Sequence, residues 1–319
     1  YSPNNSFSVK FGQRTTYADN RELWMSSNSL QLVERSRLTS AFASIREFGV
    51  FVTGRFKTGR GSFLRPYIVL SNGDGKNVMG NDKGGLKIGG RIDYLPFGLF
   101  TNIGQFRQID VMREQVPKLV VGVHYSHNSG MSSRRGRYSG RLIYLNNNDE
   151  ESLPDYFKTG IDFLFKYKGL SALGEYVKSS ATVPSDITQR VRNDGSISTS
   201  FLVNDVQNVD AYVKGRMMLG EAYNFQLGYL FKNNISLDAR YTHLKADNNS
   251  FMNNATFYNR PNYYTIGLTK LAGRNYGFKV QGSLTFIDGS LGINHDNDLS
   301  TDVAYDNEIV FRLITTISF

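Results

Sequence analysis

Basic side chains stand at every second position in several short stretches of the chain, with apolar side chains between them. In LKIGGRIDY, Lys87 and Arg91 share a side with Asp93, while Leu86, Ile88, Ile92 and Tyr94 oppose them. In FKTGIDFLFKY, Lys158, Asp162, Leu164 and Lys166 oppose Phe157, Ile161, Phe163, Phe165 and Tyr167. The same alternation places Lys10, Arg55, Lys214, Arg216, Arg240, Lys279 and Arg312 on a polar face. Its acids are fewer: Asp93, Asp162, Glu175, Asp210, Asp238 and Glu308. Such a set does noncovalent chemistry, attracting and holding anions. The arginine fork meets phosphate or carboxylate through two parallel hydrogen bonds. In a narrow, low-dielectric passage an excess of such charges concentrates counter-ions. The plain alternative for any one cation is a structural ion pair that braces a wall.

Covalent and metal chemistry find little foothold. There is no Cys, hence no disulfide, thiolate nucleophile or Cys-held zinc. No G-x-x-x-x-G-K-[ST], H-E-x-x-H or G-x-S-x-G stretch occurs, and SNGDGKN reads as a hairpin turn. The four His (124, 127, 243 and 295) are scattered. INHDNDLSTD carries oxygen ligands of the kind calcium takes, without the order of an EF-hand loop, and reads as an exposed loop. The RRGR run from Arg134 to Arg137 reads either as a solvated loop or as a contact for anions, lipopolysaccharide phosphates among them. No enzyme activity and no cofactor are expected.

The elements that must position these cations are β-strands. Period-2 alternation recurs in SFSVKFG, KLVVGVHY, YNFQLGYLF, ISLDARY, YGFKVQGSLTF and the closing NEIVFRLITTISF. About a dozen such strands of roughly ten residues fit the length that a tilted strand needs to cross a bilayer. Tight connections (FKNNIS, KYKGLS, AGRNYG) contrast with long polar ones around 127–137, 146–155, 180–208, 246–262 and 288–306. Short turns at one end and long loops at the other mark outer-membrane barrels. Mean hydropathy of −0.36 does not oppose this, because alternation keeps the average low. The 41 Tyr and Phe fit interfacial girdles. A soluble β-sandwich, with one buried apolar face, is the competing fold. The expectation is one all-β domain over 1–319, a transmembrane antiparallel β-barrel. The terminal aromatic Phe319 fits a last strand that closes on the first, and the start YSPNNSF reads as a mature or shortened chain. Residues 15–49 break the pattern, being long, charged and partly helical; they are expected to fold inward and narrow the lumen. This segment adds Arg21, Arg35 and Arg37 to the pore-lining candidates.

Several stretches, in order, resemble the phosphate-selective porin O/P family in its Bacteroidetes branch: FGQ, NRELWMSSNSLQLVERSRL, REFGVFVTGRF, SNGDGKN, GGRIDYLPFGLF, PKLVVGVHY, FKYKGLSALGEY and LGYLFKNNISLDARYTHL. The resemblance implies a porin of about 16 strands, often trimeric, with Arg and Lys lining the channel. Roughly 12–14 strands are countable here, so the chain is expected to lack its N-terminal strands or to form a smaller barrel. The net charge of +9 attracts anions in general. The expected partners are the lipid bilayer, lipopolysaccharide, small anions, two further copies of the chain and surface lipoproteins, and not nucleic acid. Three functions follow: an outer-membrane porin for small anions such as phosphate, a plugged structural or interaction barrel within a larger complex, or a rim enzyme.

Overall fold

The computed structural model describes residues 1, 6–77, 84–134, 143–192, 194–253, 260–272, 277–289 and 307–317. Phe319, the INHDNDLSTD stretch and Arg135 to Arg137 lie outside the described residues. Twelve strands follow one another as an antiparallel meander: β1 (Phe7–Thr15), β2 (Arg46–Gly54), β3 (Ser62–Ser71), β4 (Lys87–Leu95), β5 (Lys118–Asn128), β6 (Asp155–Tyr167), β7 (Leu170–Thr182), β8 (Gly220–Leu230), β9 (Ile235–Ala246), β10 (Asn262–Leu271), β11 (Phe278–Asp288) and β12 (Glu308–Ile317). A short strand, Phe56–Gly59, extends β2 beyond Arg55 and pairs with β3 as a thirteenth member. Each strand pairs with its neighbour in sequence, and β1 and β12 form the two edges.

At one end the connections are mostly tight. Tyr167 pairs with Leu170 across Lys168 and Gly169, both at positive φ (49° and 97°), the two-residue turn whose twist suits a hairpin. The opposite end carries long connections. Two of them build a lobe from the strands Ile143–Leu145, Gln189–Val191 and Ile197–Ser198, the hairpin Leu202–Val203 and Val206–Gln207, and helix α3 (Val209–Lys214). Tyr144, Ile187, Phe201, Val213 and Met217 form its core.

The sheet is inside out relative to a soluble sandwich. The apolar face is the exposed one: Ile88 is 61% exposed, Ile266 58% and Phe311 68%. The polar face is buried, with Lys87, Arg91, Asp93, Lys158, Asp162, Asn224, Gln226 and Lys279 each nearly inaccessible. On the exposed face Tyr223, Tyr241, Tyr264 and Phe286 make a continuous row across β8 to β11, with centroids 4.9–6.2 Å apart, near the long-loop end.

Residues 16–45 cover the polar face of the sheet, and the last residues of the 15–49 stretch belong to β2. The segment runs the length of the strands and returns. Near the short-turn end, Leu30 shares an apolar cluster with Leu95 of β4, while its carbonyl accepts from Lys279 Nζ of β11 (3.1 Å). Those strands are seven spacings apart along the sheet, about 34 Å if it were flat. The sheet must therefore curl around the segment. The return leg forms α2 (Arg37–Phe42), capped by the Ser36 side chain, and packs Leu38, Ala41 and Phe42 against Val177, Ala222 and Leu244 near the long-loop end.

Glycines on the polar face make room for it. A Cβ at Gly89 would stand 2.5 Å from Ala18 Cβ, and one at Gly267 2.3 Å from Leu32 Cδ2. One at Gly228 would stand 2.0 Å from both Gln31 Nε2 and Asp238 Oδ1. Gly282, on the outer face, has only Leu313 Cδ1 at 3.9 Å. Gly228→Val is therefore expected to lower stability by about 1–3 kcal/mol through overpacking, read as a lower denaturation midpoint, whereas Gly282→Val leaves the midpoint nearly unchanged.

Candidate functional site

The interior site is built on one register row. Asp93 of β4 pairs with Gly122 of β5, Gly122 with Asp162 of β6, Asp162 with Glu175 of β7, and Glu175 with Asn224 of β8. Three carboxylates thus stand side by side on the inner face, interrupted only by a glycine. Two arginines meet them. Arg91 Nε donates to Asp93 Oδ1 (2.7 Å) and its Nη2 to Asp162 Oδ1. Arg21, on the short helix α1 (Arg21–Trp24), donates to Asp93 Oδ1 (2.7 Å) and Asp162 Oδ1 (2.8 Å). Gly122 is required here, because a Cβ would come within 2.1 Å of Arg91 Nη2. The Arg91 guanidinium also lies over the Trp24 ring, 4.5 Å from its centroid. Glu175 is met differently, by the Glu22 backbone N–H (2.7 Å) and Asn20 Nδ2 (3.1 Å).

The other candidate cations fall into three groups. Lys158 bonds Asp19 Oδ2 (2.9 Å) and the Phe42 carbonyl (2.7 Å), Lys166 the carbonyls of Gly104 and Ile109 (both 3.0 Å), and Lys279 the Leu30 carbonyl. Arg240 donates to the Glu34 carbonyl (2.8 Å) and lies 3.6 Å from Glu22 Oε1. Arg312 pairs with Glu34 in a half-exposed bridge. Lys158, Lys279, Arg240 and Arg312 hold residues 16–45 to the wall, whereas Lys166 holds residues 104–109. Arg35 is half-buried and donates to the carbonyls of Glu22 and Met25, and Arg37, on α2, lies 5.9 Å from the Tyr263 ring centroid. Arg55 sits between β2 and its extension. Lys214 and Arg216 are not on the sheet at all. Instead of the alternating strand expected there, Asn208 caps Ala211 N–H, Asp210 pairs with Lys214 one turn on, and the stretch becomes α3 with Arg216 just beyond it.

The expected excess of interior positive charge is absent among the buried groups on the inner face and on the segments folded against it. Arg21, Lys87, Arg91, Lys158, Lys166 and Lys279 face Asp19, Glu22, Glu47, Asp93, Asp110, Glu114, Asp162, Glu175 and Asp238. Alternation counts only the strands, and the infolded segments bring acids of their own. One of those segments, 96–117, was not singled out from the sequence. It leaves β4 at Leu95, enters the interior at the short-turn end, and sets Gln108 between Gln31 N–H (2.7 Å) and Glu22 Oε1 (3.1 Å). Its signals are Pro96 and Pro117 at the strand boundaries and 22 residues where a turn would suffice. The neutral amides Asn20, Gln31, Gln226 and Gln281 were missed too, because a reading for charge passes over them.

One side of the infolded segment is not filled. A cavity of about 390 Å³ lies along it, lined by Thr15, Leu23, Trp24, Met25, Ser26, Ser27, Arg35, Thr39, Ser40, Ile45 and Arg46. Two arginines and five hydroxyls face it, and no carboxylate does. Arg46 is exposed.

Comparisons with family models and with curated proteins find no match for this chain.

Removing Arg21 would leave two buried carboxylates short of a partner. Arg21→Met is expected to cost about 3–5 kcal/mol, measured by denaturant unfolding. Arg312→Met, which breaks the half-exposed bridge to Glu34, is expected to cost under about 1 kcal/mol.

Proposed function

We propose that this chain is a bacterial outer-membrane β-barrel that admits small anionic solutes through a passage narrowed by residues 16–45. The observation that carries the membrane reading is the inverted sheet. A soluble protein gains nothing by exposing Ile88, Ile266, Leu268 and Phe311 while burying Lys87, Arg91, Lys158 and Lys279. A bilayer rewards that arrangement, with hydrocarbon outside, the polar lumen inside and aromatic rings at the interface. The same setting requires closure, because the unpaired backbone of β1 and β12 would cost several kcal/mol per group in hydrocarbon. Strands added beyond these edges, as the resemblance to the phosphate-selective porin O/P family implies, would complete the barrel, and trimers of it are part of that reading. The tight-turn end then faces the periplasm and the lobe faces outward.

The anion preference rests on the cavity. Most strand cations are engaged by carboxylates or carbonyls, so little of their charge is left for a solute. Arg46, beside Arg35 whose guanidinium also holds the Glu22 and Met25 carbonyls, lines this cavity together with serine hydroxyls and no acid. Phosphate or a carboxylate suits those donors.

A second reading keeps the barrel and removes the passage: a sealed barrel serving as a subunit of a larger envelope assembly, surface lipoproteins included. The network from Arg21 to Lys279 favours it, since it ties the infolded segment to six strands (β4, β6, β7, β9, β11 and β12).

Reversal potentials of the full-length protein in a planar bilayer under a KCl gradient separate the two. An anion-selective potential is expected, with Arg46→Glu shifting it toward cations. Cation preference would end the selectivity claim, and a folded barrel without conductance would favour the sealed reading.

A further inference from the structure

The lobe at the long-loop end holds a cluster of arginines that the interior does not use. Arg190 stands directly opposite Tyr144 in the antiparallel pair of Gln189–Val191 with Ile143–Leu145, so both side chains leave the same face. Tyr212 of α3 closes over that face through Phe201, with ring centroids 5.3 Å apart. The Arg190 and Arg216 guanidiniums lie 5.0 and 4.8 Å from the Tyr212 ring centroid. Arg134 reaches in from the neighbouring loop, anchored by its carbonyl on Met218 N–H (2.9 Å) and stacked over Phe251 at 3.6 Å.

Three cations gathered in one lobe call for an anion, and the described residues do not supply it. None of the three arginines takes part in an ion pair among the described residues. Asp210, also on α3, is engaged by Lys214 (2.9 Å), and Asp186 accepts from the Ser152 hydroxyl (2.6 Å). Two donors in the cluster are buried without a partner among the described residues: Arg134 Nη1 and the hydroxyl of Tyr144, a residue 2% exposed. A buried donor left unmet costs about 1–3 kcal/mol. Burial, and then the charge of Arg216, push the Arg134 guanidinium below its usual value, the direction that a bound anion would reverse.

We infer that Arg134, Arg190 and Arg216, with the Tyr144 hydroxyl, form a binding site for a phosphate-class oxyanion. Planar guanidinium forks suit a tetrahedral, multiply charged oxyanion better than a halide. The phosphate is either free in solution or carried on a lipid headgroup of the outer leaflet. This site is separate from the cavity beside Arg35, and its occupancy does not depend on whether the sheet conducts.

The test uses the full chain in detergent and two probes: inorganic phosphate against chloride at matched ionic strength, by calorimetry, and lipopolysaccharide micelles against the same micelles dephosphorylated. Arg216→Gln is expected to weaken binding at least about tenfold, the scale of one lost charge-assisted hydrogen bond. Tyr144→Phe removes one hydroxyl that has no partner among the described residues, so it keeps the fold and is expected to weaken binding several-fold. It carries the test should Arg216→Gln fail to fold. Variant-sensitive binding of inorganic phosphate supports a site for the free ion. Variant-sensitive binding of phosphorylated micelles alone supports a lipid-held phosphate. Absence of binding in both arms, or binding that neither substitution changes, overturns the site.

Discussion

Two carboxylates held side by side in a buried row cannot both stay charged without cations between them, and the rest of the interior follows from this. Asp93 and Asp162 are separated by a single strand carrying Gly122. Like charges at such separations repel by several kcal/mol in a poorly solvated interior. Arg91 meets them from the wall and Arg21 from the infolded segment. The wall alone supplies only half of the answer. The segment is therefore part of the fold rather than an ornament of the lumen, and its path is set by where Arg21 must stand. Once that arginine is placed, Glu22 N–H falls on Glu175, Ala18 on Gly89 and Leu30 among the apolar residues at the short-turn end.

Selectivity in such an interior cannot be read from a count of cations. A lysine whose ammonium bonds Asp19 and a backbone carbonyl presents little field to a passing solute, and Lys158 is in that position. What counts is charge without a local partner beside open volume. That shifts attention from the strands to the margin of the infolded segment, where Arg46 shares a cavity with five hydroxyls. The same reasoning applied to the lobe separates Arg134, Arg190 and Arg216, which meet no carboxylate among the described residues, from the arginines paired with acids, although Arg190 also holds the Ser200 carbonyl and Arg216 the Tyr212 hydroxyl.

Much of this architecture is legible in the residues, for an identifiable reason. Alternation reports which side of a strand a residue occupies, and it does so strand by strand, so Lys87, Arg91, Lys158, Lys166 and Lys279 could all be placed on one polar face. Residues 15–49 stood out because they break that period. Contacts between segments remote in sequence are another matter. Gln31 meets Ser171, Gln226 and Asp238, and no local pattern reports pairings at separations of 140 to 207 residues. Local signals also compete. The stretch around Lys214 alternates, yet a capping Asn208 and an i,i+4 ion pair tip it into a helix.

The central claim is that the exposed apolar face meets lipid while the polar face encloses the infolded segment. Nitroxide accessibility along β10 tests it most directly, and these 319 residues contain no cysteine to compete for the label. Labels at Ile266→Cys and Leu268→Cys, in the full-length protein reconstituted into bilayers, should collide freely with oxygen and little with a water-soluble nickel chelate. A label at Thr265→Cys should meet neither well, since Thr265 is 3% exposed. If the chelate reached positions 266 and 268 as readily as oxygen does, the apolar face would be facing water and the membrane account would be contradicted.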